Sequence, residues 1–278
     1  VAIIGRGKVG IALTRALTRA GVAARSIGRT LPPQIEADVV LLAVPDAQIA
    51  RVASQLSTRA AVLHCAGARG LDELEALRSQ GASVGVLHPL LSFASARHPP
   101  SFHGATFTVF GERRAVQAAR KLARVLGAHA LVLAGPPTAA YHAAAALLAN
   151  GAVALAHHAA HILSWIPARE RQRALAGLLA SVANNVAHVG LPDALTGPVV
   201  RGDVAAVQRH LAALSPAQAQ AYAAVLPLII ATAREAGLPP AQARALAAVQ
   251  PERPLSSPGS RPRRATRSPR RPRTKASR

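Results

Sequence analysis

The first seventeen residues restrict the fold more than any other stretch of this chain. Val1-Ala2-Ile3-Ile4 is a short apolar run, Gly5-Arg6-Gly7-Lys8-Val9-Gly10 spells G-x-G-x-x-G, and Ile11 to Leu17 continues with helical apolar spacing. Three glycines alone are a weak signal. A strand in front and an amphipathic helix behind make them the opening of a dinucleotide-binding βαβ unit. Gly5 permits the tight turn off the strand. Gly7, lacking a side chain, lets the backbone of the loop, with Arg6, Lys8 and Val9, approach a pyrophosphate. Gly10 lets the helix lie close on the sheet. The phosphates then meet the unpaired N–H groups and positive dipole end of the helix.

Residues 1–134 alternate strand and helix patterns, which predicts an α/β fold with a Rossmann-type, doubly wound parallel sheet. Strands are expected at Val1–Ile4, Ala23–Ile27, Asp38–Val44, Ala60–His64, Ser83–Leu87, Thr106–Phe110 and Ala130–Leu133. Asp46 is placed to cap a helix over Ala47–Leu56. Ligands of such a sheet lie beyond the carboxyl ends of its strands. Gly135-Pro136-Pro137 breaks the alternation. Only helical patterns follow, so 135–250 reads as an all-helical second domain. Its first helix, within Tyr141–Ile166, is long and mostly apolar but carries His142, Asn150, His157, His158 and His161. Polar groups are costly in hydrocarbon, so this helix is expected as the buried centre of a bundle, with no membrane partner.

Residues 251–278 are Pro, Ser, Arg and little else, and are expected to form a disordered basic tail. From Glu252 onward there are ten basic residues and one acid. No aromatic side chain interleaves them to stack on bases, so nucleic-acid binding is not expected. The net charge is +21, and outside the tail 23 basic residues still face 11 acidic ones. That balance favours anionic ligands. Cys65 is the sole cysteine, which excludes an internal disulfide and fits a reducing compartment. With no secretory signal before the first strand, a cytoplasmic location is expected. The chain lacks methionine even at position 1, so residues preceding Val1 are expected.

NAD-specific sites place an acid about 20 residues beyond the glycines, at the end of the second strand. Here that segment is Arg25-Ser26-Ile27-Gly28-Arg29-Thr30, without an acid. Arg29 offers a guanidinium to a 2′-phosphate, with Ser26 and Thr30 as hydroxyl donors, so NADP(H) is favoured over NAD(H). Ala43-Val44-Pro45 follows the most apolar strand and is expected beside the ribose and nicotinamide.

Further segments carry a family resemblance: Leu87-His88-Pro89-Leu90-Leu91-Ser92-Phe93, Tyr141-His142-Ala143-Ala144 with Asn150, and Ala194-Leu195-Thr196-Gly197-Pro198 followed by Arg201-Gly202-Asp203. With the glycine loop, they resemble the Rossmann-like proteins that carry the C-terminal domain of unknown function 2520. That family is similar in architecture to pyrroline-5-carboxylate reductase and the 6-phosphogluconate dehydrogenase-like superfamily. The resemblance covers residues 1 to about 250. It implies an NADP-dependent oxidoreductase fold and, through packing of helical domains, a homodimer. Hydroxyacid dehydrogenases of the superfamily place a lysine four residues before an asparagine on this helix. If Asn150 is that asparagine, the lysine position is Ala146, so their chemistry does not carry over.

Hydride transfer to a C=O or C=N bond needs a proton donor and a pocket that excludes water. His142, Ala146 and Asn150 share a helical face through i, i+4 spacing. His142 is the candidate donor and Asn150 the positioning group. His88, at a strand end, titrates near neutrality and is a second candidate acid. In the loop between helices, Thr196 and Arg201 could hold an anionic substrate, with Asp203 fixing Arg201. Asp203 could equally cap the next helix. His157, His158 and His161 are spaced like metal ligands, but no acid or cysteine completes the set, so no metal is expected. Cys65 has no base beside it apart from the adjacent His64, whose side chain points to the opposite face of the strand, and is not expected as a nucleophile. The function expected is NADP(H)-dependent reduction of a small, anionic carbonyl or imine compound in a cleft between the domains. The alternative is a non-catalytic NADP-binding regulator or scaffold.

Overall fold

The computed structural model describes residues 1–32 and 34–250; the tail expected over 251–278 lies outside the described residues. Seven strands form one sheet: β1 (Ala2–Ile4), β2 (Arg25–Ile27), β3 (Val39–Leu42), β4 (Ala61–His64), β5 (Ser83–Pro89), β6 (Thr106–Gly111) and β7 (His129–Val132). Their order is β2-β1-β3-β4-β5-β6-β7. β1 turns left to β2 and right to β3, so the chain reverses its winding between β1 and β3, where open α/β sheets hold their ligands. β3 and β4 are buried over their whole length. That is why both read as unbroken apolar runs rather than alternating ones.

The sheet is parallel except at one pair. β5 and β6 run antiparallel, with His88 opposite Thr108. The physical reason is the link 90–105, which contains no helix. A parallel return needs a crossover, and a chain without one comes back alongside in the opposite direction. The remaining neighbours are parallel.

Helices cover both faces. On one face α1 (Lys8–Arg19) and α4 (Arg113–Val125) bury Leu13, Leu17, Ala115, Ala119 and Leu122 against Ile3, Leu41, Leu63 and Phe107. On the other, α2 (Ile49–Ser54) and the short α3 (Glu75–Arg78) bury Ile49, Val52 and Leu77 against Ile4, Val40, Leu42 and Val62. Asp46 does not cap α2. It opens a 3-10 turn, Asp46–Gln48, and its carboxylate lies 3.9 Å from Arg69 Nε.

Beyond the sheet lie α5 (Thr138–Ile162), α6 (Ala168–Val189), α7 (Val204–Ala212), α8 (Pro216–Glu235) and α9 (Pro240–Ala247). The chain divides into two compact units, with the boundary inside α5 after Leu155. The first turns of α5 therefore belong with the sheet. In the second unit, α7, α8 and α9 share a core that includes Val207, Leu211, Leu226, Ile230 and Leu246.

The expectation that α5 is a buried central helix is corrected. No residue of α5 or of α6 is buried among the described residues. Leu147 is 73% exposed and Leu148 76%. The described residues leave much of the apolar surface of α5 uncovered, and its length and composition would suffice to cross a membrane.

Candidate active site and cofactor cleft

The glycine loop takes the form its spacing requires. Gly5 has φ +116°, and a Cβ there would stand 2.3 Å from the Ala43 carbonyl oxygen. A Cβ on Gly10 would stand 2.1 Å from the Gly5 carbonyl oxygen, so α1 rests directly on the turn. Nothing lies within 4 Å of the corresponding point on Gly7. Its backbone, at the N-terminus of α1, faces open space that a phosphate could enter.

That space belongs to a cleft of about 1030 Å³ at the β1/β3 reversal. Gly5, Arg6, Gly7, Arg29, Ala43, Val44 and Pro45 line it, as do Gly28, Gln48 and Arg51. Three guanidinium groups, of Arg6, Arg29 and Arg51, thus border the cleft, and no acid does among its described lining residues. Arg6 extends over Gly28, where a Cβ would stand 3.6 Å from its guanidinium. Gln48 Oε1 is buried without a hydrogen-bond partner, an acceptor left open in the wall of the cleft. Such a lining fits a dinucleotide with an added phosphate. Lys8, Val9, Gly10, Ser26 and Thr30 do not line the cleft. Ser26 sits in β2 with its Oγ buried and unpartnered. Sequence reasoning missed Gln48 and Arg51, although both fall on the first turns after Ala43-Val44-Pro45.

Further along the same carboxyl edge, roughly 10 Å from β3 by two strand spacings, a second cluster forms. Tyr141 Oη lies 2.8 Å from His88 Nδ1 and 2.8 Å from Thr108 Oγ1. Opposed residues of an antiparallel pair point to the same face, and this register places His88 and Thr108 together for Tyr141 to span. The His142 ring stands edge-on to His88, with ring centroids 6.0 Å apart. Gly67 fits between them: a Cβ there would stand 2.8 Å from His88 Nε2 and 2.9 Å from His142 Nδ1. The loop holding Gly67 is anchored by fully buried His64. Its Nε2–H donates to the Gly70 carbonyl at 2.9 Å and its Nδ1 accepts from the Ala66 N–H at 3.3 Å. Both bonds require the neutral imidazole with the proton on Nε2.

Burial pushes the His88 pKa down to about 4, with nearby His142 acting in the same direction. His88 is therefore neutral at physiological pH, which corrects its reading as an acid titrating near neutrality. Burial raises the Tyr141 phenol, opposed by its bond with Thr108, so the hydroxyl keeps its proton. Residue chemistry missed Tyr141, which entered the sequence reading only within the segment Tyr141-His142-Ala143-Ala144. Burial likewise pushes the Cys65 thiol up to about 12, leaving it protonated and unreactive.

Asn150 is exposed, two turns or about 12 Å along α5 from His142, and its side chain has no hydrogen bond among the described residues. In the second unit, Asp203 Oδ1 accepts from the Ala206 N–H at 2.9 Å and caps α7. It forms no ion pair with Arg201, which is exposed, as is Thr196 next to the buried Val199.

Residues 105–227 match the model of a domain of unknown function, DUF2520. The chain carries a DUF2520 domain. In this chain the domain begins at β6, so it contains Thr108, Tyr141 and His142, while Gly67, His88 and the glycine loop precede it. No curated protein matches the sequence. Among solved structures, a Thermotoga maritima protein superposes with a TM-score of 0.63 at 22% identity, over 84% of this chain and 98% of the other. A candidate NADP oxidoreductase from Bacteroides fragilis gives 0.64 at 19% identity, over 84% and 96%. A reductive aminase from Aspergillus terreus, in complex with NADPH and ethyl levulinate, gives 0.56 at 15% identity, over 88% and 97%. At these identities the likeness is one of fold alone.

Proposed function

We propose that this protein binds NADP(H) in the arginine-bordered cleft and reduces a small, anionic carbonyl or imine compound at the Tyr141–His88 cluster. One observation carries the reading. An acid-free cleft at the sheet's winding reversal shares its edge with a phenol held between an imidazole and a hydroxyl. The cofactor, when bound, supplies the hydride. Arg6 and Arg29 hold its phosphate charge, and Gly7 admits its pyrophosphate to the helix terminus. As the substrate heteroatom gains electrons, Tyr141 gives it the phenolic proton. The phenolate left behind is stabilised by Thr108 Oγ–H and by neutral His88 with its proton on Nδ1. His142, beside His88 and exposed, contacts the substrate.

The test is a screen of small oxoacids and cyclic imines for NADPH oxidation. Tyr141→Phe is expected to lower turnover by about a hundredfold or more while NADPH affinity, read by fluorescence, stays unchanged. Tight NADPH binding with every substrate inert would favour the non-catalytic reading instead.

The bare faces of α5 and α6 support a homodimer. Helices of 25 and 22 residues have footprints of about 370 and 330 Å² at helix dimensions. Each is a sizeable share of the roughly 800 Å² per partner of a stable interface. His142, Asn150, His157, His158 and His161 along α5 oppose a lipid covering. Light scattering is expected to give twice the chain mass, with Leu147→Glu/Leu178→Glu shifting it to one. Monomers of the unaltered chain that partition into lipid vesicles would instead assign α5 to a membrane.

A further inference from the structure

The C-terminal end of α5 carries a pair of side chains that the reduction does not use. His157 Nε2 and His161 Nε2 lie 3.1 Å apart. The rings are perpendicular, with centroids 4.6 Å apart, and both residues are exposed. Spacing of i, i+4 brings two imidazoles to one face of a helix, the arrangement by which a helix offers two ligands to one metal ion.

We propose that His157 and His161 chelate a divalent transition-metal ion of the zinc class through their Nε2 atoms. Three features support it. With metal–nitrogen bonds of about 2.0–2.1 Å, nitrogens at this separation subtend roughly 95–100° at the ion, between octahedral and tetrahedral angles. His161 lies in the last turn of α5, where the negative end of the helix dipole favours a cation. No Lys or Arg occurs anywhere in α5, and Arg171 beyond it is turned to the carbonyl oxygens of Leu163 and Ile166. Neighbouring His158 is not a third ligand: its ring centroid is 6.3 Å from that of His157, and i, i+1 residues do not share a helix face. Among the described residues no group of three or more His, Cys, Asp or Glu could hold an ion. One chain therefore offers the ion two ligands among its described residues, with water or a group of a second copy completing the coordination. In the absence of metal, one imidazole donates its Nε2–H to the other, so a proton and a metal compete for the same place.

The experiment is calorimetric titration of the full chain with Zn²⁺ at pH 7.5, with Mg²⁺ as the control. One equivalent of Zn²⁺ per chain is expected to bind and Mg²⁺ to give no heat, since imidazole suits zinc and not magnesium. His157→Ala and His161→Ala should each weaken binding by about tenfold or more, the loss of one of two ligands, while His158→Ala leaves it unchanged. The substituted positions are exposed, and circular dichroism checks that each variant stays helical. Absence of Zn²⁺ binding in the intact chain would overturn the assignment. So would retention of full affinity in the His157→Ala/His161→Ala double variant, which would place the ion elsewhere.

Discussion

Gly67 backs directly onto His88: a methyl group on its Cα would stand 2.8 Å from the imidazole Cε1 and Nε2, and 2.9 Å from Nδ1 of His142. The glycine sets how closely the two rings approach. Gly67→Ala is expected to push one or both rings aside, break the 2.8 Å contact of His88 with Tyr141, and lower turnover by about tenfold or more. The glycine-loop cleft lies on other strands, so NADPH affinity should hold. Steady-state kinetics beside fluorescence titration checks both halves, and equal loss of binding and turnover would show that the loop supports the cleft instead.

The cleft makes a prediction about cofactor choice. A hydrogen bond to a charged group contributes about 1.5–3 kcal/mol, so Arg29→Ala should weaken NADPH binding by about tenfold to a hundredfold. NADH, without the 2′-phosphate, should lose less than about threefold. Preference of the unaltered protein for NADH would contradict the assignment of Arg29.

Stability should fall on acidification above pH 4. The His88 pKa drops from 6.5 in the unfolded chain to about 4 in the fold, so the unfolded state takes up this proton first. The protein therefore loses stability as pH falls from 6.5 towards 4, and this group changes nothing further below that. His64, lowered chiefly by burial, acts in the same direction. His88 is partly accessible to solvent, which reduces its share to on the order of 2–3 kcal/mol. Urea midpoints between pH 7 and 4.5 should show the slope, and His88→Gln should flatten it.

In the second unit, Asp203→Ala should cost about 1 kcal/mol through the lost N-cap of α7, without changing NADPH affinity. A thermal melt beside the same titration reads both. A large loss of substrate turnover at constant stability would instead restore Asp203 to the site.

The glycine loop was legible in the sequence because each of its requirements is local: a turn after Ile4, a bare backbone at Gly7, close packing at Gly10. The direction of β6 was half legible. No helical pattern occupies 90–105, but regular alternation on either side masked what that gap implies. Tyr141 was not legible as a donor, because its partners His88 and Thr108 lie 53 and 33 residues away and meet it only through the β5–β6 register. The bare surface of α5 was hidden for the opposite reason. An apolar helix has one composition whether its own chain or another molecule covers it.

The reversed strand also alters what the sheet edge can hold. A parallel sheet offers only the last residues of its strands at the carboxyl edge. β6 delivers its first residues there instead, which is how Thr108 comes to stand beside His88. The segment 90–105 can thus lengthen or shorten without moving either residue, provided the pairing of the two strands is kept. A slip of that pairing by a single residue would turn the hydroxyl to the far side of the sheet. Natural variation in this fold should therefore fall on the link and spare the register, so that a connection of changing length delivers a hydroxyl to a fixed address.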